Sequence, residues 1–187
     1  MDAASVSRVM QLIQRQAAKA EEIVDRVRSY AKAKQVPKAA VNLSMCVRQA
    51  CASFTQNSKY SAVRLETSLP TDKPCQIMAS EMEIRLAVDN LIRNAAESLL
   101  SGNCSQPLIR VQVTSTSDSI VIRVTDNGAK LTDTDIERMK TPLSSSKSDG
   151  LGLGLSIVSG VAQSNGGKLI LKAREKGGLI AELSFPK

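Results

Sequence analysis

Gly150-Leu151-Gly152-Leu153-Gly154-Leu155 alternates glycine with leucine and runs without a break into Ser156-Ile157-Val158. No other feature limits the fold of this chain as much. The glycines demand a turn, and the residues from Leu151 to Gln163 read as the helix behind it. Glycine tolerates positive φ and lets a ligand approach the backbone closely. A helix N-terminus presents unpaired N–H groups and a partial positive charge, which together favour phosphate. The segment is a candidate polyphosphate cradle, although on its own it is equally a plain turn.

Two further motifs bear on that choice. Between Glu81 and Leu100, apolar residues at Ile84, Leu86, Ala87, Val88, Leu91, Ile92, Ala95 and Leu99 form a broad stripe of helical period. Asn90 and Asn94 share one face of this helix, one turn apart. Asparagine forms helices poorly, so two beside an apolar stripe suggest carboxamide oxygens aimed at a metal or ligand. Mg²⁺ suits such oxygens, since it keeps several waters and also binds substrate phosphates. The alternative is two half-exposed polar residues at the margin of the stripe. Downstream, Ser119-Ile120-Val121-Ile122-Arg123-Val124-Thr125-Asp126-Asn127-Gly128 reads as a strand ending in a carboxylate and a turn. Asp126 is placed to accept a hydrogen bond from a ligand amino group, worth roughly 1.5–3 kcal/mol. Asp-Asn-Gly is also a common turn sequence.

Asn90-x-x-x-Asn94-Ala95, Asp126-Asn127-Gly128 and Gly150-x-Gly152-x-Gly154-Leu155 resemble, in order, the N, G1 and G2 boxes of the GHKL ATPases. Within that superfamily the chain looks like the C-terminal part of a bacterial two-component sensor histidine kinase. Asn94-Ala95-Ala96-Glu97-Ser98-Leu99 and Ser145-Ser146-Lys147-Ser148-Asp149-Gly150 resemble the nitrogen- and oxygen-sensor subgroup.

The chain has 187 residues with 42% hydrophobic content, enough for one sizeable core and too short for two large domains. Aromatics are 2%, so the core must be aliphatic. No apolar run is long enough to cross a membrane. Cys46, Cys51, Cys75 and Cys104 lack C-x-x-C spacing and histidine is absent, which excludes an obvious zinc set. Reduced cysteines suit a cytoplasmic domain, and the resemblance allows an inner-membrane anchor elsewhere in a full-length protein. The net charge of +7 comes without an aromatic-interleaved basic patch, so nucleic acid is not an expected partner.

Ser5 to Lys34 read as one long helix. Val6, Met10, Ile13, Ala17, Ala20, Val24, Val27 and Ala31 keep a heptad seam along it. Pro37 ends it. The expected organisation is therefore 1–36, resembling the second helix of a dimerisation and phosphotransfer hairpin, and 39–187, an ATP-binding catalytic domain. Further elements are expected as follows: a strand at Val41-Asn42-Leu43, a helix capped by Ser44 and running to about Thr55, and strands at Tyr60–Leu69 and Gln76–Met78. A hairpin should follow around Ser117-Asp118, then a short helix from Asp133 to Met139 capped by Thr132. A last hairpin should cross Gly177-Gly178. Helices alternating with mostly antiparallel strands give an α+β two-layer sandwich, the Bergerat fold that the resemblance implies, preceded by a coiled-coil-like helix.

The resemblance also implies roles. Asp126 would accept from the adenine amino group, and Gly128 would let the chain turn beneath the base. Asn94 would hold Mg²⁺, with Asn90 orienting the triphosphate and Glu83 or Glu97 orienting water or a metal ligand. Lys147 would reach the phosphates from a mobile lid within 129–149. Gly150, Leu151, Gly152, Leu153, Gly154 and Leu155 would offer backbone N–H groups. ATP and Mg²⁺ are the expected cofactors. A second protomer bound through the first helix and a response regulator are the expected partners.

There are departures from the family pattern. Lys130 stands where the G1 box has a second glycine, so it either strains the turn or points at phosphate. Met139-Lys140-Thr141-Pro142-Leu143-Ser144 lacks the aromatics of the F box. The absence of histidine removes the phosphoacceptor from these residues. A nucleotide- or partner-binding module without phosphoryl transfer is the alternative. A topoisomerase or mismatch-repair ATPase fits less well: those carry glutamate where this chain has Asn90, and they need a transducer domain.

Overall fold

The computed structural model describes residues 3–71, 75–141 and 153–187. Helix α1 (Ala3–Lys34) is followed by β1 (Ala39–Asn42), α2 (Leu43–Thr55), β2 (Arg64–Ser68), β3 (Gln76–Ala79), α3 (Glu81–Ser101), β4 (Leu108–Ser115) and β5 (Ser119–Asp126). The chain closes with α4 (Asp133–Lys140), α5 (Leu153–Ser164), β6 (Lys168–Ala173) and β7 (Leu179–Pro186). Strands β2, β4, β5, β7 and β6 form one sheet in that spatial order, and β1 pairs with β3 in a small second sheet. Helices α2, α3 and α5 cover one face of the large sheet, giving the expected two-layer α/β sandwich.

Period-two alternation sets which face is covered. Ile109, Val111 and Val113 of β4, Ile120, Ile122 and Val124 of β5, and Ala181, Leu183 and Phe185 of β7 are buried. They meet Ile84, Val88, Leu91, Ile92 and Leu99 from the apolar stripe of α3, and Val158 and Val161 of α5. The opposite face is mixed, with Val121, Ile170 and Ile180 set among charged residues. There Arg123 pairs across strands with Glu182, Nε to Oε1 at 2.8 Å, and Lys172 reaches the same carboxylate at 3.2 Å.

Two local expectations are corrected. The cap of α2 is Asn42, whose Oδ1 accepts from the amides of Ser44 (3.0 Å) and Met45 (3.3 Å), so Leu43 is already helical and Ser44 is not the cap. The stretch from Tyr60 is not strand at its start. Asn57 caps a 3-10 turn over Ser58–Tyr60, the Tyr60 ring stacks on Phe54 at 5.0 Å, and only Arg64–Ser68 is extended. Burying that ring in the core overrides the alternation. The strand pairs are mostly antiparallel, as expected, and β2 beside β4 is the parallel exception. Thr132 caps α4 as expected, in a full capping box with Asp135.

Helix α1 touches the rest of the molecule through its C-terminal half. The Tyr30 hydroxyl fills the notch at Gly160, where an added Cβ would lie 2.7 Å from it. Ala33 is fully buried, and the Ser80 hydroxyl donates to its carbonyl at 3.2 Å. Lys38, just beyond the helix, donates to the carbonyl of Ser164. The heptad seam faces away from these contacts: Val6, Met10, Ile13, Val24 and Val27 are 42–63% exposed.

Candidate functional site

Asp126 continues the inward-facing series Ile120, Ile122, Val124, so its carboxylate turns toward the helix layer at the open end of β5. It is 5% exposed. Its Oδ1 accepts from the Gly128 amide at 2.9 Å. A carboxylate has roughly four lone-pair sites, so that bond is compatible with accepting from a ligand amino group as well. A Cβ on Gly128 would lie 2.9 Å from Asp126 Oδ1 and 3.6 Å from Leu99 Cδ2, so only glycine lets the turn lie flat against the C-terminal end of α3.

Sequence reasoning missed three supports of this carboxylate. Asn127 fastens the α3–β4 loop where the β ladder stops: its Oδ1 accepts from the Leu108 amide and its Nδ2 donates to the Gln106 carbonyl, both at 2.8 Å. Gly177 and Gly178, at φ +90 and +93, bring the β6–β7 turn against β5. A Cβ on Gly178 would stand 2.1 Å from the Asp126 carbonyl oxygen and 2.8 Å from its Oδ1. Arg174 donates from Nη1 to that same carbonyl at 2.7 Å. The Gly177-Gly178 pair, expected only as a hairpin turn, was the available signal.

The second part of the site joins two helices. α3 and α5 run antiparallel, with Asn94 beside Gly154 at one end and Glu83 beside Asn165 at the other. A Cβ on Gly154 would lie 2.9 Å from both Oδ1 and Nδ2 of Asn94. The carboxamide therefore sits on the backbone of the first turn of α5, where unpaired helix N–H groups accumulate. Leu155, in the same turn, is half-buried against the core. Glu83 is 4% exposed and takes a bond from Asn165 Nδ2 at 3.1 Å, tying down the far end of α5. Glu97 is half-buried on α3.

Asn90 is placed differently from Asn94. It is 1% exposed, its Nδ2 donates to the Leu86 carbonyl at 2.7 Å, and its Oδ1 is buried with no hydrogen-bond partner among the described residues. It lines a cleft of about 400 Å³ against α1. Lys130 is exposed, and its backbone is not in the left-handed region, so lysine is not strained there. Lys147, Gly150, Leu151 and Gly152 lie outside the described residues, as does the side chain of Leu153.

The donor set fits one kind of metal. Among the described residues no group of three His, Cys, Asp or Glu could hold an ion. A cation caged by protein carboxylates is therefore not what these groups suit. A Mg²⁺ with Asn94 as its protein oxygen and phosphates and waters for the rest fits them.

Residues 79–187, more than half of the chain, match the family described as histidine kinase-, DNA gyrase B-, and HSP90-like ATPase. The C4-dicarboxylate transport sensor protein DctS of Rhodobacter capsulatus is 26% identical over 171 residues, covering 91% of this chain and 26% of that protein. The sensor protein FixL of Bradyrhizobium diazoefficiens is 25% identical over 171 residues, covering 91% and 34%. The chain thus spans about a quarter to a third of these relatives. Among solved structures, the catalytic domain of histidine kinase ThkA superposes with a TM-score of 0.69 at 21% identity, covering 81% of this chain and 97% of that one. Full-length ShkA in complex with AMPPNP gives 0.72 at 19% identity, covering 100% and 39%.

Proposed function

This chain belongs to the histidine kinase-, DNA gyrase B- and HSP90-like ATPase family, and on that premise we propose that it binds Mg-ATP as the kinase core of a two-component sensor. In this reading the γ-phosphoryl passes to a histidine supplied from outside these 187 residues, since they contain none. The observation that carries the reading is a line of contacts along α3. The Asp126–Gly128 turn abuts Ser98 and Leu99, and Gly154 abuts Asn94, about one turn further toward the N-terminus of α3. An adenine held at Asp126 would lay its phosphates along α3 toward Asn94 and the first turn of α5. Asn94 would hold Mg²⁺, which neutralises phosphate charge when bound. Phosphoryl transfer needs mainly positioning and charge neutralisation, which these groups are suited to give.

Residues 1–36 serve in this reading as the second helix of a dimerisation hairpin, and residues 39–187 as the catalytic domain. The exposed seam on α1 favours pairing with a second protomer over docking on its own domain, because the domain is met by a different stripe of the helix. A response regulator is the downstream partner of such a core, and the cytoplasm its compartment. Among the described residues no helix is long and apolar enough to cross a membrane.

Calorimetric titration of Mg-ATP and Mg-GTP into the wild type and Asp126→Asn tests the proposal. The expected result is ATP binding, little GTP binding and at least a roughly tenfold loss in the variant. No ATP binding by folded protein would refute it. Binding without phosphorylation of a supplied phosphoacceptor domain would favour a nucleotide-binding module instead, the reading to which the altered F box points.

A further inference from the structure

The line of contacts along α3 does not stop at Asn94. One turn further on, the cleft beside Asn90 is closed on its far side by α1, which contributes Glu21, Asp25 and Ser29, while α3 adds Arg93. Glu21, Asp25 and Ser29 fall at successive turns and form one polar stripe, distinct from the exposed apolar seam. From Leu99, beside Gly128, to Asn90 is roughly 13 Å along the helix axis. The cleft therefore lies at the phosphate end of the site, beyond Asn94, and α1 reaches it from anchors toward the opposite end of the helix pair, Tyr30 at Gly160, Ser80 at Ala33 and Lys38 at Ser164.

Two carboxylates at that end oppose a polyanion, and Arg93 offsets only part of their charge. Among the described residues the buried Asn90 oxygen has no donor. An orphaned buried acceptor costs about 1–3 kcal/mol. A hydrated divalent cation answers both needs, since its waters donate hydrogen bonds and its charge suits oxygen donors. We infer that Glu21 and Asp25 of α1 form an acidic lip on the phosphate end of the nucleotide site, so that the docked arrangement admits a nucleoside triphosphate as its divalent-cation complex and disfavours the free polyanion. This rests on the nucleotide reading above. It makes α1 part of the binding site as well as a pairing helix.

The test is titration of ATP and ADP into the whole chain, in excess EDTA and in saturating MgCl₂, for the wild type, Glu21→Gln/Asp25→Asn and Asp126→Asn. Glu21 and Asp25 are exposed, so the double variant should fold normally. In EDTA it should bind ATP about three- to tenfold tighter than wild type. ADP, one phosphate shorter, should change less than about twofold, and MgCl₂ should close the gap for ATP. Glu21→Lys should shift metal-free ATP in the same direction. An unchanged ATP-to-ADP ratio, an equal shift for both nucleotides, or a gap that MgCl₂ leaves intact would each overturn the inference. If the wild type binds neither nucleotide, the nucleotide reading fails and takes the lip with it. If it binds and Asp126→Asn does not, that reading stands and the ratio alone judges the lip.

Discussion

Gly154→Ala adds one methyl group at the junction of α3 and α5. Its carbon would lie 2.9 Å from both Asn94 Oδ1 and Nδ2 and 3.3 Å from Cγ. Carbon and a polar heavy atom in ordinary contact stand about 3.5 Å apart or more, so the carboxamide must retreat by roughly 0.5 Å. That is the tolerance within which a ligand group has to be held. Mg²⁺ demands near-ideal geometry at about 2.0–2.1 Å, so the displaced oxygen no longer completes its shell. Disturbing the support of a metal ligand typically costs 10–100-fold, and about tenfold is expected here in Mg-ATP affinity. Stability should move little, because alanine is the better helix former by up to about 1 kcal/mol and the crowding of a short side chain offsets it. Calorimetric titration paired with urea unfolding reads both quantities. Metal-free binding serves as the internal control and should change much less. Mg-ATP affinity within twofold of wild type, in a protein of unchanged stability, would refute the role of Asn94 as the cation ligand.

Three further outcomes follow from the geometry. Gly166 and Gly178 both have positive φ, but an alanine at 166 meets only Pro186 Cγ at 3.7 Å while one at 178 meets the Asp126 carbonyl at 2.1 Å. Gly166→Ala should cost about 1–2 kcal/mol and lower Tm by about 2–8 °C, and Gly178→Ala should cost clearly more in thermal unfolding and also weaken ATP binding; equal losses would show that the contact with β5 yields freely. Burial, with Glu81 beside one and Asp89 beside the other, pushes the Cys46 and Cys51 thiols up to about 11. In native protein at pH 8 both should alkylate about a hundredfold more slowly than the half-exposed Cys104, the difference vanishing in denaturant, and mass spectrometry of labelled peptides decides it. Burial pushes the Glu182 carboxyl up, but the hydrogen bonds from Arg123 and Lys172 outweigh it and hold the group below its ordinary value. A depressed carboxylate stabilises above its unfolded pKa and loses that contribution as pH falls through the folded one, so Arg123→Leu should cost about 1 kcal/mol at pH 7 and progressively less below about pH 4. A cost independent of pH would assign the effect to packing of the arginine stem.

Local chemistry was legible in the sequence wherever one element decided it. Period two from Ile120 carries inward to Asp126, so a reader of the strand alone already places that carboxylate on the core face. The 3.6-residue period of α3 puts Asn90 and Asn94 on one side of one helix, Thr132 announces its cap, and Pro37 ends α1. Other outcomes depended on which element docks where, and no local period encodes that. Asn90 and Asn94 parted company because α1 closes over one and α5 over the other. Gly154 leaves room for the Asn94 carboxamide because an antiparallel helix brings Asn94 onto its backbone, and Gly178 must be glycine because β5 passes 2.1 Å from where its Cβ would be. The strand expected from Tyr60 gave way to a turn because a single stacked ring on Phe54 buried more than the alternation offered. The apolar seam of α1 was readable as a seam, but only the fold shows that it points away from its own domain, since a different stripe, through Ala18, Glu21, Asp25, Ser29 and Ala33, meets it. Composition and periodicity determined the pieces and their inward faces. The tertiary structure decided the close approaches, because those are distances between segments far apart along the chain.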